Sequence, residues 1–450
     1  MDLKKRLKNI FSRIRLDLGL VPVKIVLLTA LVGLCSFIAY NANQKHELTA
    51  KTQNKNIYVS YLLEVYDKIK ENYWENLSDE QIVDLYVLGS EKLLGQPQAL
   101  KTKNRDSLEK ILTEALKDID TDQKKKDFTT TLADTVLQNL KPLGRSKLYS
   151  QKDETALKNT VNNVNPEVDQ YKILGISKEA SSSQITDAYT KQSQKWDPKK
   201  NSDPQAQKKF EEITKAYQVL FDESNRKLYD TSGVEPTMDY KFISPEIFYI
   251  HIKKFSPTTQ EELLKVTDKS NLHPDADTLI FDLRDNIGGA IDGLPWFLGP
   301  FIGPDQYSYQ FFHKGEKQDF KTLAGFLPGL LKFKKTVVLI NEGSQSTAEV
   351  MAAALKKYNV GVLVGVPTKG WGTVEKVFPL TTKLDPSQKD SVFLVHSLTL
   401  RDDGQPIEGR GVDPTINITD PNWQKLLYAY FRYPELADAI KNIWNEKPLQ

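Results

Sequence analysis

Cysteine is nearly absent from this chain of 450 residues, because Cys35 is its only one. A single thiol cannot form an intramolecular disulfide, and it cannot build a cysteine-based metal site. An excess of charge of one sign is also missing, since 61 basic residues face 59 acidic residues and leave a net charge of +2. Without an overall field, the composition indicates neither nucleic acid nor an acidic partner. The sequence predicts no metal site and no cofactor.

An uncharged apolar run lies near the N-terminus and predicts a membrane helix. Spanning a hydrocarbon core takes about 20 residues, and residues 20–42 reach that length if the Lys24 side chain extends to the interface. Basic residues dominate the segment before it, which keeps the N-terminus cytoplasmic and the bulk of the chain extracytoplasmic. The alternative is a signal peptide that is cleaved near Ala42.

Residues 45–163 have the pattern of amphipathic helices. Apolar side chains recur at spacings of three and four residues, from Val59 through Leu62 and Leu63 to Ile69. Ser78 followed by Gln81 predicts a capping box at the start of the next helix. The lysine-rich segment 122–127 is predicted to be a solvated turn.

Residues 165–234 contain an ordered set of short motifs. These are Tyr171-Lys-Ile-Leu-Gly-Ile-Ser-Lys-Glu-Ala180, Ile185-Thr-Asp-Ala-Tyr189, Lys209-Phe-Glu-Glu-Ile-Thr-Lys-Ala-Tyr-Gln-Val-Leu-Phe-Asp222 and Arg226-Lys-Leu-Tyr-Asp230. The segment resembles a J domain, the DnaJ-type co-chaperone module. Its apolar residues fall on facing sides of two helices, which predicts an all-α helical hairpin.

The loop between these two helices departs from the J-domain pattern. The resemblance implies a His-Pro-Asp tripeptide that stimulates Hsp70 ATPases, but this loop contains Asp197, Pro198 and Lys199. A true His273-Pro-Asp275 occurs later, before an apolar strand, and is read as coincidence. The sequence therefore favours a helical packing or docking module, and it does not favour Hsp70 as a partner.

From about residue 240 the pattern changes to alternating strands and helices. Apolar runs at residues 248–253, 278–283, 336–340 and 360–366 predict strands, and residues 259–269 predict a helix. Such an α/β core collects its functional residues in loops at strand ends.

Five ordered blocks lie within this core and just after it. They are Asp282-Leu-Arg-Asp-Asn-Ile-Gly-Gly289, Asn341-Glu-Gly-Ser-Gln-Ser-Thr-Ala-Glu349, Gly361-Val-Leu-Val-Gly-Val-Pro-Thr368, Gly372-Thr-Val374 and Asp403-Gly-Gln-Pro-Ile-Glu-Gly-Arg-Gly-Val-Asp-Pro414. They resemble the S41 family of C-terminal processing (tail-specific) peptidases, which implies a ClpP/crotonase-like α/β fold. Residues 66–74 resemble the helical start of such peptidases. The J-like segment occupies the position where many members carry a PDZ domain.

The resemblance implies a serine and lysine dyad, in which a serine attacks the peptide carbonyl and an unprotonated lysine accepts its proton. Ser346 aligns with the nucleophile. Backbone amides of Gly288, Gly289 and Thr347 align with the oxyanion hole, because glycine permits the close backbone approach that an oxyanion requires.

The position of the family lysine is occupied by Trp371, whose indole N–H only donates. Glu375 stands where many relatives carry glutamine. Lys369, two residues before Trp371, would point to the same side in an extended segment and is the predicted substitute base. His396 lies on a strand, where a polar residue that points inward is usually a satisfied core histidine.

Two functions therefore stay open, and a third, a J-domain co-chaperone, is disfavoured because the His-Pro-Asp tripeptide is lost. The chain is a membrane-anchored serine peptidase that hydrolyses exported polypeptides through Ser346, or it has lost its base and binds polypeptide tails or a partner protein without cutting. The predicted organisation is a basic cytoplasmic segment at 1–20, a transmembrane helix at 21–44, a helical region at 45–163, a J-like domain at 165–234, a peptidase-like domain at 240–420 and a helical tail at 421–450.

Overall fold

The computed structural model describes residues 56–97, 100–401 and 403–448. The predicted transmembrane helix at residues 21–44 lies outside these ranges, as does the basic segment before it. No helix within the described ranges is both long and apolar enough to cross a membrane.

Four helices open the described chain. They are α1 (Ile57–Asn72), α2 (Asp79–Leu94), α3 (Arg105–Lys117) and α4 (Asp122–Gln138). The capping box at the start of α2 is confirmed, because the Gln81 N–H donates to Ser78 Oγ and the Ser78 N–H donates to Gln81 Oε1. The predicted turn at 122–127 is wrong: these residues begin α4, whose first turn is capped by Thr121 Oγ1.

A short strand and five further helices follow. They are β1 (Lys147–Ser150), α5 (Gln151–Val161), α6 (Gln170–Leu174), α7 (Ser182–Lys195), α8 (Ala206–Phe221) and α9 (Glu223–Ser232). The helices α7 and α8 form the predicted hairpin, in which Ile185 packs against Ile213, Ala216 and Leu220. The strand β1 corrects the expectation that residues 45–163 are helical throughout.

The two ends of the J-like module lie side by side. Val164 and Val234 form an isolated antiparallel bridge, and Asn163 Nδ2 donates to the Glu235 carbonyl at 2.8 Å. The chain therefore leaves the module next to the point at which it entered it.

Beyond the module, strands and helices alternate. In chain order they are β2 (Met238–Ser244), β3 (Ile247–Ile252), α10 (Thr259–Lys269), β4 (Thr278–Asp282), α11 (Leu294–Ile302), β5 (Tyr307–His313), β6 (Glu316–Lys321), α12 (Pro328–Leu331), β7 (Lys335–Ile340), α13 (Thr347–Lys357), β8 (Val362–Gly365), β9 (Thr373–Pro379), β10 (Asp390–Leu400), β11 (Ile416–Asn417), α14 (Trp423–Phe431) and α15 (Pro434–Asn445).

The larger sheet has the strand order β11-β8-β7-β4-β3-β2. All neighbouring strands are parallel except β2 and β3. Alternate side chains of β7 enter two different cores, because Val338 and Ile340 pack with α11 and α13, whereas Val337 and Leu339 pack with α14 and α15. Helices on both faces explain why the parallel strands are apolar throughout.

The smaller sheet is antiparallel and contains β1, β10, β5 and β6, with β9 also paired to β10. Residues 147–150 of β1 pair with residues 390–393 of β10, far away in sequence. The loop between α4 and β1 carries Arg145, which contacts Trp371 in the segment just before β9.

Candidate active site

Ser346 lies in a strained turn between the end of β7 and the first residue of α13. Its backbone has φ +57° and ψ −123°, a conformation that is uncommon for residues other than glycine and costs about 1–3 kcal/mol. Two hydrogen bonds hold the turn: the Ser346 N–H donates to Glu349 Oε2 at 2.8 Å, and the Gln345 N–H donates to the Asn286 carbonyl at 2.9 Å. Such strain persists where the surroundings over-determine it, which is typical of functional sites.

A glycine pair faces this turn from the loop after β4. A Cβ atom on Gly288 would lie 2.6 Å from the Ser346 Cβ, and one on Gly289 would lie 2.0 Å from the Phe255 carbonyl oxygen. Both glycines have positive φ, at +81° and +134°. Only glycine allows the loop to approach the serine this closely.

Two of the three predicted oxyanion amides are available. The Gly288 N–H donates to Asn286 Oδ1 at 2.8 Å, so the prediction that it would be an oxyanion donor is not supported. The amides of Gly289 and Thr347 donate to no acceptor in the described part of the chain. Thr347 Oγ1 donates to the Gly289 carbonyl at 2.9 Å, which ties the two loops together.

Glu349 joins the serine turn to the turn that contains Trp371. Its Oε2 accepts from the amides of Ser346 and Trp371 at 2.8 and 2.7 Å, and its Oε1 accepts from the Gly370 amide and Thr368 Oγ1 at 2.7 and 2.6 Å. Burial raises the pKa of Glu349, although these hydrogen bonds oppose the shift. Glu349 has no role among the predictions from sequence, although a glutamate three residues after a serine at a helix start is a signal for such a contact.

Trp371 is held by cations and by hydrogen bonds. The Arg145 guanidinium lies 3.3 Å from the centroid of the indole ring, and Arg145 also forms an ion pair with Glu408 at 3.1 Å. Glu408 Oε2 accepts from the amide of Gly372 at 2.8 Å. The tryptophan is therefore built into the fold at the position where the resemblance expects a lysine.

Lys369 does not enter the site. The segment is not extended as expected, because it turns at Gly370 with φ +78°. The Lys369 side chain is exposed, and its amine lies 5.3 Å from the Trp371 ring centroid. A lysine base needs burial to lose its proton at neutral pH, so the structure does not favour Lys369 as the base.

A cavity of about 710 Å³ opens beside Ser346. Gly289 and Ser346 line it together with residues of β9 and β10, among them Glu375 and His396, whereas Lys369 is not part of its wall. The volume suits a segment of polypeptide or a small ligand.

Glu375 presents a carboxylate to this cavity. Its Oε1 accepts from Thr373 Oγ1 at 2.6 Å and, more weakly, from Trp371 Nε1 at 3.4 Å. Burial raises the pKa of Glu375, and the nearby charge of Arg145 opposes that shift.

His396 also faces the cavity, so the expectation of a core histidine is wrong. It lies at a β-bulge between Val395 and Ser397, a feature that redirects side chains. Its ring stacks on that of His313 with centroids 4.3 Å apart. Burial, followed by the charges of neighbouring lysines and His313, lowers the pKa of His396 to about 4, so the imidazole is neutral at pH 7.

The loop between α7 and α8 carries Asp197, Pro198 and Lys199. Asp197 Oδ1 accepts from the Lys199 amide at 3.0 Å, and the Asp197 carboxylate lies 3.6 Å from Lys200 Nζ. Asp197 therefore stabilises its own loop.

Two family models match this chain. Residues 246–418 match "Peptidase family S41", and residues 169–230 match "DnaJ domain".

Curated relatives match separate parts of the chain. The Bacillus subtilis "Carboxy-terminal processing protease CtpA" is 32% identical over 200 residues, which are 44% of this chain and 40% of the relative. A "Probable CtpA-like serine protease" of Staphylococcus epidermidis is 30% identical over 175 residues, which are 39% of this chain and 34% of the relative. "DnaJ homolog subfamily C member 16" of Pongo abelii is 48% identical over 65 residues, which are 14% of this chain and 8% of the relative. The chain thus spans less than half the length of each of these relatives.

A solved structure of "Photosystem II D1 C-terminal processing protease" is 13% identical, with a TM-score of 0.47, and the superposition covers 81% of this chain and 94% of that one.

Proposed function

Because the chain belongs to peptidase family S41 through residues 246–418 and carries a DnaJ domain at residues 169–230, we propose that Ser346 hydrolyses peptide bonds in polypeptide substrates. The conformation of Ser346 carries this proposal. A serine with φ +57° at a strand-to-helix turn, beside two amides that have no acceptor among the described residues, is costly to maintain for packing alone.

The geometry supports acyl transfer. Ser346 Oγ attacks the carbonyl carbon of the scissile bond, and the amides of Gly289 and Thr347 donate to the oxygen on which negative charge develops. Preorganised donors of this kind contribute about 3–4 kcal/mol each to lowering the barrier. Collapse of the tetrahedral intermediate expels the amine, and water then releases the acyl group from Ser346.

We further propose that the substrates are exported polypeptides. The support is the apolar run of residues 20–42 and the basic residues before it, which favour a cytoplasmic N-terminus and an extracytoplasmic peptidase domain. The membrane anchor is part of this proposal.

The experiment incubates the full-length protein with an unstructured, carboxymethylated polypeptide and follows new N-termini. We expect the wild type to form products and Ser346→Ala to form them at least about 10³-fold more slowly, because the nucleophile is lost. Ser182→Ala, an exposed serine of the DnaJ domain, is the matched control and should cleave like the wild type. Cleavage that Ser346→Ala leaves unchanged would disprove the proposal.

Binding without hydrolysis is the second candidate, and Trp371 at the lysine position is the observation that favours it. It predicts no products from the wild type, together with equal affinity of the wild type and Ser346→Ala for a tail peptide. The same proteins, titrated with a fluorescent peptide, separate the two functions.

A further inference from the structure

The Ser346 proton needs an acceptor, and we propose that Glu375 is the general base of this site. The inference rests on the proposed function, because it concerns the same hydrolysis. It reassigns the base from Lys369, the predicted substitute, to the residue four positions after Trp371.

Glu375 offers a carboxylate, the kind of group that a base requires, in the wall of the Ser346 cavity. Thr373 Oγ1 and Trp371 Nε1 both donate to Oε1, and the carboxylate also accepts from its own backbone amide. The carboxylate is thus oriented by fixed donors, which is the arrangement of a base held by a third group.

The two substitutions in this segment complement each other. The resemblance expects lysine at 371, where the proton is accepted, and glutamine at 375. Here residue 371 is an indole that only donates and residue 375 is a carboxylate that accepts. The proton acceptor and the group that orients it have exchanged positions.

The electrostatic surroundings suit a base that works near neutral pH. Burial raises the pKa of Glu375 and so strengthens its basicity, while the hydrogen bonds from Thr373 and Trp371 and the charge of Arg145 oppose that shift. The pKa of Tyr149 in β1 is raised by burial and, further, by nearby charges that include Glu375. Asp292, Lys376 and His396 lie in the same cavity wall as Glu375.

The proton follows a closed path. As Ser346 Oγ bonds to the carbonyl carbon, its proton passes to the Glu375 carboxylate and the carbonyl π electrons move to the oxygen. When the C–N bond breaks, the carboxylic acid returns that proton to the leaving amine. Water then attacks the acyl group, gives its proton to Glu375, and the acid reprotonates Ser346 Oγ.

His396 is the competing base, since its neutral imidazole lines the same cavity. Its Nδ1 is engaged with Ser397 Oγ at 2.8 Å, and its ring stacks on His313. No hydrogen bond joins it to Trp371 or Glu349 within the described residues. The connection between Trp371 and both the serine turn and Glu375 favours the glutamate.

The decisive variant is Glu375→Gln in the full-length protein, a change that keeps the shape of the side chain. We expect kcat to fall by about 10²–10⁴-fold with KM little changed. Ser182→Ala, at an exposed serine of the DnaJ domain, is the control and should retain the wild-type rate. His396→Gln tests the competing base. Melting temperatures of all variants establish that they are folded.

The double variant Trp371→Lys with Glu375→Gln restores the pair that the resemblance expects. It should recover cleavage that Glu375→Gln alone has lost, and this cleavage should again require Ser346.

The dependence of kcat on pH distinguishes a glutamate base from a lysine base. Because the pKa of Glu375 is raised, wild-type kcat should fall on acidification at a pH above that of an ordinary glutamate. In the double variant the acidic limb of the kcat profile should move toward alkaline pH, since a lysine must lose its proton to act as a base.

Each outcome is informative. Cleavage by the wild type that requires Ser346 but not Glu375 would overturn the inference and leave the proposed function intact. Loss of cleavage in His396→Gln alone would assign the base to the histidine. If the wild type shows no cleavage that depends on Ser346, both the inference about Glu375 and the proposed function are overturned. Only this result affects the proposed function.

Discussion

Arg145 explains how a tryptophan occupies a position where the family resemblance expects a lysine. Its guanidinium covers the indole at 3.3 Å and pairs with Glu408, whose other oxygen holds the turn at Gly372. Cation and ring attract each other through the ring quadrupole, by about 0.5–2 kcal/mol depending on how far water is excluded. Arg145 thus acts as a clamp on Trp371.

Removal of this clamp should be measurable. Arg145→Ala loses the ring contact and leaves Glu408 without its partner, where the two side chains are only 16% and 14% exposed. We expect the free energy of unfolding to fall by about 1–3 kcal/mol. The measurement is the midpoint of urea unfolding at unchanged slope.

The matched control is Lys117→Ala, which removes an exposed pair with Glu114 whose side chains are 63% and 69% exposed. Such pairs contribute little, so the change should stay below about 0.5 kcal/mol. Equal effects of the two substitutions would show that Arg145 does not stabilise the turn.

Some residues of the candidate site can be located from the sequence, and others cannot. Ser346, Gly289 and Thr347 lie in local motifs whose chemistry depends on the backbone of a few neighbouring residues. Arg145 and His396 reach the site only through strand pairing between distant segments, which no local pattern records. Lys369 was misplaced because the positive φ of Gly370 breaks the extended geometry on which the prediction relied.

Elements of the α/β core followed their sequence patterns closely. The helix predicted at residues 259–269 is Thr259–Lys269, and the predicted strands at 278–283 and 336–340 are Thr278–Asp282 and Lys335–Ile340. Buried apolar runs carry a strong signal. The strand β1 was missed because its four residues are too few for a period to show. The lysine-rich start of α4 was misread because charge alone does not distinguish a turn from an exposed helix face.

The loop between α7 and α8 is where the DnaJ domain departs from the His-Pro-Asp pattern that the resemblance implies. Asp197 accepts from the Lys199 amide, and Lys199 places a positive charge where the family carries an acid. We expect the full-length protein not to accelerate ATP hydrolysis by an Hsp70. The variant Asp197→His with Lys199→Asp should gain acceleration if the helical hairpin is otherwise competent. Acceleration by the wild type would contradict the docking-module interpretation.

We propose that the N-terminal charges set the membrane topology of the whole molecule. If residues 1–20 are cytoplasmic, protease added to intact spheroplasts should remove an epitope tag fused after residue 450. A tag before residue 1 should stay protected until the cells are lysed. Protection of the C-terminal tag in intact cells would contradict the exported location and, with it, exported polypeptides as substrates.

The bridge between Val164 and Val234 makes the DnaJ domain an inserted domain whose two ends are adjacent, and such a domain can be replaced as a unit. Both of its ends meet at one spot on the peptidase body, so a short linker could replace the domain without rerouting the chain on either side. Selection could therefore fit or discard such a module in a single recombination step. The same property allows the peptidase body and the module to be swapped independently in chimaeras.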